Sequence, residues 1–256
     1  MTETEEHYSY RVYSDPKTAR EFDADRFGGP VGNLIRTTQE NVVFSMLLRG
    51  RPQGSPLPDL KGWKVIDVGA GTGRFSIPLL DRGAQVTACD ASQQMLDVLR
   101  KKTNNPNLRI VVVDAHRLEF PDQSFDCAFS FRMLLHVIDW RKALGELCRV
   151  SADWVVFDLP PRHGFLVFAP FWHKIKKLFV SNVQEYRTFP MKEVREELKK
   201  NGFHIVSSDP GFYLPLSFYR FIGSAGFMKI LERFFSALGL TRLAGSPVTL
   251  FARRKK

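Results

Sequence analysis

Residues 65–73 read VIDVGAGTG. Val65, Ile66 and Val68 form an apolar strand that runs into glycines at 69, 71 and 73, and a helix-forming stretch follows over 73–82. Glycine is required where the backbone takes positive φ or lies against a ligand with no Cβ between them. Strand, glycine turn and helix N-terminus, in that order, build a nucleotide-binding crevice at the carboxyl end of a parallel strand. The spacing narrows the reading. A dinucleotide fingerprint is G-x-G-x-x-G, which would need glycine where Arg74 stands. The pattern here is G-x-G-x-G, with Asp67 two residues before the first glycine.

Further strands end in chemistry at ordinary spacings. The apolar run 84–89 ends in Asp90, and the run 109–113 ends in Asp114-Ala115. Ser124-Phe125-Asp126 leads into strand 126–130, followed by Phe131 and the sequence LLHVIDW, which contains His136. Together with VIDVGAGTG, these features resemble the ordered motifs of the class I S-adenosylmethionine (SAM)-dependent methyltransferases. They are similar above all to the small-molecule group that includes the ubiquinone/menaquinone enzymes. The match covers about residues 62–159, with an ending at 203–253.

The resemblance implies an α/β, doubly wound, Rossmann-like seven-stranded sheet, order 3-2-1-4-5-7-6, strand 7 antiparallel and helices on both faces. It implies SAM as cofactor, S-adenosylhomocysteine (SAH) as product and no metal. By the same resemblance Asp67 would help orient the methionyl ammonium, directly or through water, and Gly69, Ala70, Gly71 and Gly73 would form the loop under ribose and methionine. Asp90 would bind the ribose hydroxyls, Ala91 and Met95 would flank the adenine, and Asp114 and Ala115 would meet its amino group and ring edge. Phe131 would lie near the transferred methyl.

Strands at 64–68, 84–89, 109–113, 126–130 and 154–158 alternate with helical stretches at 73–82, 92–102, 115–119 and 139–149, the signature of a parallel sheet. Segments 203–207 and 248–252 are candidates for strands six and seven. Pro78 in the first of these helices predicts a bend. Asp15-Pro16 opens an N-terminal helix that ends at Gly28-Gly29-Pro30, and a second helix spans 32–48. In methyltransferases such a segment covers the cofactor, with Phe27 and Gly28 nearby. Residues 1–59 are therefore read as helical cover and linker. Residues 60–256 form the methyltransferase domain, with aromatic, basic insertions at about 160–190 and 210–246.

The formal charge of +10 is carried by the C-terminal part, where residues 162–256 hold 17 Lys/Arg against 6 Asp/Glu. Such asymmetry suggests an anionic partner. Segment 165–180 is apolar and aromatic yet contains Lys174, Lys176 and Lys177, and 210–240 is rich in phenylalanine. Phe227, Ile230, Leu231, Phe234, Phe235 and Leu238 recur at helical spacing. This is either a helix packed on its own protein or a lid or membrane-lying surface. Cys89, Cys127 and Cys148 have no metal spacing and read as buried apolar residues of a cytoplasmic protein. The acidic, polar start is no secretory signal, and no window of ~20 apolar residues reads as a spanning helix.

Methyl transfer from a sulfonium is an in-line displacement that needs alignment and dryness rather than a triad, and none is read. His136 is the candidate base, and His163 after strand five is a second. The reading is a SAM-dependent methyltransferase acting on a small, apolar, lipid- or quinone-like acceptor, cytoplasmic or peripheral at a membrane through the basic aromatic part. Nucleic acid is not expected, since Ser130-Phe131-Arg132-Met133 stands where N/D-P-P-Y/F would mark an amino-methylating nucleic-acid enzyme. The rivals are a nicotinamide oxidoreductase, a non-catalytic methyltransferase-like binding protein, and methylation of nucleic acid or protein.

Overall fold

Strands β1 (Lys64–Val68), β2 (Gln85–Asp90), β3 (Leu108–Val112), β4 (Phe125–Ser130), β5 (Ser151–Leu159), β6 (Phe203–Asp209) and β7 (Val248–Arg254) hydrogen-bond into one sheet. Their order is β3-β2-β1-β4-β5-β7-β6, as expected. Pairs among the first five are parallel, with Asp67 level with Ala88 on β2 and Phe129 on β4. β7 runs antiparallel between β5 and β6, Asp158 facing Thr249. The structure, a computed structural model, describes residues 12–48, 60–162 and 187–255. The expected segment 165–180, the linker 49–59 and His163 lie outside the described residues.

Alternation along the strands supplies both faces. Val65, Val86, Phe129, Val156 and Phe251 pack toward helices α2 (Gly29–Leu48) and α3 (Ser76–Leu80). Ile66, Ala128, Val155 and Phe157 pack toward α5 (Trp140–Val150) and α6 (Met191–Lys200). Helix α4 (Gln93–Lys102) lies over β2 through Leu96 and Leu99. Helix α1 (Pro16–Phe27) is capped by Asp15, which accepts from Thr18 N–H at 2.7 Å, and it ends at Gly28. α2 begins at once at Gly29, three residues earlier than the sequence suggested.

Two expected helices differ. The stretch after the glycine turn is helical only over Ser76–Leu80, because Gly71 (φ 55°) and Gly73 (φ 90°) hold left-handed backbone ahead of it. Pro78 sits in the first turn, where no N–H is needed by the helix, so no bend is required. Residues 115–119 form no helix; the chain turns on Asp114, which takes the His116 N–H at 2.9 Å. The backbone there is satisfied by α5 side chains instead. Glu146 accepts from Leu118 N–H (2.7 Å), and Arg149 donates to the carbonyls of Leu118 (2.7 Å) and Phe120 (2.8 Å).

Between β6 and β7 stand α7 (Leu216–Ile222), α8 (Ala225–Ala237) and α9 (Leu240–Ala244). Phe212, Tyr219 and Met228 pack here on Val31 and Ile35 of α2, so the C-terminal insertion sits against the N-terminal cover. The stripe read from the sequence splits in two. Leu231 and Phe235 are partly buried, beside the buried Met228 that is not part of the stripe, whereas Phe227, Ile230, Phe234 and Leu238 are exposed. Phe218, Phe221, Ile222 and Leu243 of α7 and α9 are exposed as well, Phe221 at 91%. Among the described residues no helix is long and apolar enough to cross a bilayer.

Candidate functional site

The glycine turn is tied to the ends of β1 and β2. Gly69 and Ala70 donate N–H to the Cys89 carbonyl at 2.8 and 2.9 Å. Asp90 at the end of β2 accepts from Gly71 N–H on Oδ2 (2.8 Å) and from Ser92 N–H on Oδ1 (2.9 Å). Burial pushes this carboxyl up, and those N–H donors oppose the rise. Asp67 is buried beneath the turn, where its Oδ2 accepts from Ser76 Oγ at 2.6 Å. Burial pushes its carboxyl up to about 6, with the Ser76 hydroxyl opposing and Asp90 adding to the rise. Asp67 therefore supports the turn from below and does not stand open in the crevice.

Gly69, Gly71 and Gly73 all have positive φ. A Cβ on Gly69 would lie 2.6 Å from Met133 Cβ, and one on Gly73 would overlap Leu99. Met95 is buried under Gly71, its methyl 3.3 Å from where such a Cβ would be. Ala91, half-buried, follows Asp90 around the bend. Beyond β3, Asp114 Oδ1 meets His116 Nδ1 at 2.6 Å. His116 Nε2 accepts the Asp139 N–H (3.2 Å), so the ring proton sits on Nδ1 and points at Asp114. Ala115 packs beside this pair on the core.

The N-terminal helix α1 is latched to the turn. Asp23 of α1 accepts from Thr72 Oγ1 at 2.6 Å and pairs with Lys102, which also donates to the Thr72 carbonyl (2.8 Å). Ser92 caps α4 and donates to the Tyr13 carbonyl at 2.7 Å. Tyr13 makes edge contact with His136, the ring centroids 5.8 Å apart. Hence His136 sits against the cover.

Past β4 the picture departs from expectation in one residue. The ring of Phe131 is buried and stacks on Phe75 at 3.9 Å, so it belongs to the core under α2. The next residue, Arg132, holds φ 60°, an unfavourable conformation for a side chain of this size. Its N–H donates to Asp158 Oδ1 at 2.5 Å, which pins that turn. Asp158 is fully buried, and burial pushes its carboxyl up against the opposing charge of Arg132. Arg74, which broke the dinucleotide pattern, lies over Phe27 (4.7 Å) and Phe75 (5.0 Å) and donates to Gln39.

These donors and acceptors suit a SAM-type ligand. Each Asp90 oxygen already takes one backbone N–H and keeps acceptor capacity, as a vicinal diol with two O–H donors would need. Asp114 is 40% exposed at the end of β3. Among the described residues no three His, Cys, Asp or Glu side chains converge as metal donors. An open groove of about 1030 Å³ between α5 and α6 is lined by none of the residues predicted for the site. Sequence reasoning missed Thr72, Ser76, Ser92, His116 and Asp158. Only Asp158 carried a readable signal, as an acid inside the apolar run VVFDL.

A methyltransferase domain family matches residues 66–153. A demethylmenaquinone methyltransferase of Paenarthrobacter aurescens is 34% identical over 156 residues, 61% of this chain and 54% of that one. Another, from Corynebacterium efficiens, is 32% identical over 197 residues, 77% of this chain and 76% of that one. The chain spans about half the length of most of the curated relatives it matches. Magnesium protoporphyrin IX methyltransferase from Synechocystis, with bound SAH, superposes with a TM-score of 0.64 at 19% identity, covering 96% of this chain and 99% of that one.

Proposed function

This chain belongs to the class I SAM-dependent methyltransferases, and from that premise we propose that it transfers the SAM methyl group to a small, apolar, quinone-like acceptor. The observation that carries the reading is Asp90, held by Gly71 and Ser92 N–H groups with both oxygens still able to accept. Bound SAM would supply an electrophilic methyl on a sulfonium. The chain's part is to bind, orient and exclude water. Asp90 holds the ribose, Asp114 takes the adenine amino group, and the glycine turn lies under the methionyl arm. Such alignment alone can supply ~7–11 kcal/mol. His136, behind the Tyr13 contact, is the group we assign to proton removal where the acceptor needs it.

The acceptor's class rests on the named relatives and on the apolar face of α7–α9. That face carries Lys229, Arg233 and Arg242 nearby, and the sole acid of residues 210–247, Glu232, is turned inward onto Tyr219. Exposed apolar area with a basic rim suits an anionic bilayer surface from which a lipid-like acceptor would be drawn.

The test is SAM with a labelled methyl group, incubated with extract of the source cells and then fractionated. Label in the organic phase, lost with Asp90→Ala, supports the reading. Label in protein or nucleic acid overturns the acceptor class. Absence of saturable SAM or SAH binding overturns the activity.

A further inference from the structure

Three guanidinium groups gather where α1, α2 and α7 meet the carboxyl ends of β4 and β5. Arg74 rests on Phe27, the last residue of α1. Arg220, from α7, donates to the Arg26 carbonyl at 3.0 Å, one residue earlier. Arg132, after β4, is close enough that its charge acts on both Arg74 and Arg220. Burial lowers Arg74 to about 10 and also lowers Arg220. The Nε–H of Arg74 and the Nε–H of Arg220 are both buried with no hydrogen-bond partner.

Buried guanidinium donors left unmade are costly, and like charges in one place add to the cost. Asp158, Glu40 and Asp67 act on Arg74, and Glu40 already pairs with Arg36 at 3.3 Å. No carboxylate is among the influences on Arg220, which are burial, Arg26 and Arg132. Arg74 and Arg220 thus each hold a buried donor without an acceptor. It also lies on the β4–β5 side of the crevice, beyond the Asp90 cradle over β2.

We propose that Arg74, Arg132 and Arg220 bind an anionic group, a carboxylate or phosphate, carried by the methyl acceptor. This rests on the methyltransferase reading and adds to it a charged head on an otherwise apolar acceptor. A planar guanidinium fork matches either anion in a two-point contact. The Nε–H donors of Arg74 and Arg220 gain the acceptors they lack. Phe27, half-buried beside Arg74, supplies apolar surface for the ring or chain attached to the anion.

The experiment uses the full chain saturated with SAH, so that the cofactor's own carboxylate is already seated. Two matched probe pairs are titrated by calorimetry: 3-dodecyl-4-hydroxybenzoate against its methyl ester, and dodecyl phosphate against dodecanol. The charged member of at least one pair is expected to bind roughly tenfold more tightly than its neutral partner. That preference falls below about threefold in Arg132→Gln and Arg220→Gln, with SAH affinity retained. Arg220→Lys, which keeps charge and loses the fork, is expected to fall between, and it carries the test if the Gln variants do not fold. Equal binding of charged and neutral probes to the wild type overturns the proposal. So does a loss of SAH affinity in the Arg variants with probe preference intact, which would assign the arginines to the methionyl carboxylate. Failure of SAH to bind at all is a separate outcome, and it overturns the methyltransferase reading on which the proposal stands.

Discussion

The turn after β1 and the helix α8 use their side chains in opposite ways. In the turn, Gly69, Ala70 and Gly71 donate their N–H groups to Cys89 and Asp90, and glycine stands where any Cβ would collide or strain the backbone. In α8, one face is locked through Glu232 to Tyr219 and Tyr213, while the other holds Phe227, Ile230 and Phe234 open to water. Positive φ and close packing leave the turn one solution. The helix, in contrast, carries apolar residues on both faces, and the neighbouring elements choose which of them is buried.

The same substitution in the two regions should therefore have opposite signs. Gly73→Ala adds a Cβ at φ 90° that overlaps Leu99, and strain with overpacking is expected to cost about 3 kcal/mol. Gly226→Ala, in α8 with nothing near its added Cβ, is expected to gain about 0.5 kcal/mol. Urea unfolding midpoints of both variants check this. A Gly73→Ala protein as stable as the wild type would mean that the turn is not the fixed part of the fold.

Beneath the turn, Asp67 sharpens the comparison through pH. Its folded pKa of about 6 stands above the 3.8 of a free carboxyl. The native state therefore holds this proton more tightly than the unfolded one. Its contribution falls as pH rises through 3.8 to 6 and is fully unfavourable above that range. Asp67→Asn removes a buried charge and keeps an acceptor for Ser76. It is expected to gain up to about 3 kcal/mol at pH 7.5, with the gain shrinking toward pH 4. Thermal melts of both proteins across that range test it, and a pH-independent difference would show that Asp67 is not the group titrating.

Tyr219, which locks the inner face of α8, gives a smaller effect. Its hydroxyl is buried and donates to Glu232. Tyr219→Phe leaves that carboxylate one donor short and is expected to cost about 1–2 kcal/mol, read from urea midpoints. The loss should appear in the stability of the insertion and not in SAH affinity. A drop in SAH affinity would mean that α7 and α8 shape the cofactor cradle.

How much of this was legible follows from the same contrast. The sheet order came with the family resemblance, whereas the glycine turn after β1, the acid ending β2 and the Asp15 cap follow from local chemistry: glycine at fixed offsets, an acid at a strand end, Asp before Pro. The packing of Phe131 on Phe75 was not legible, because an aromatic after β4 has the same composition whether it faces the crevice or the core. Residues 115–119 misled because Glu146 and Arg149, about 30 residues away, satisfy the backbone that a helix would otherwise have satisfied. Arg74 was read only as the residue that breaks a glycine pattern. Its partners Phe27 and Gln39 come from the N-terminal cover, and no spacing rule connects them.

The smallest expected change in stability belongs to the outer face of α7–α9, and it is the most discriminating for function. Phe221 is 91% exposed, so Phe221→Ser removes almost no buried contact and is expected to alter stability by less than about 0.5 kcal/mol. If that face lies on lipid, the same change should weaken sedimentation with anionic phosphatidylglycerol vesicles several-fold, because a phenyl ring inserted among headgroups is lost. Lys229→Gln with Arg233→Gln should weaken it further at low salt and little at high salt. Phe221→Ser binding vesicles as well as the wild type would remove the membrane from the reading. The exposed phenylalanines would then have to be explained by contact with another protein or another copy of this chain, which concentration-dependent sedimentation in the absence of lipid would reveal.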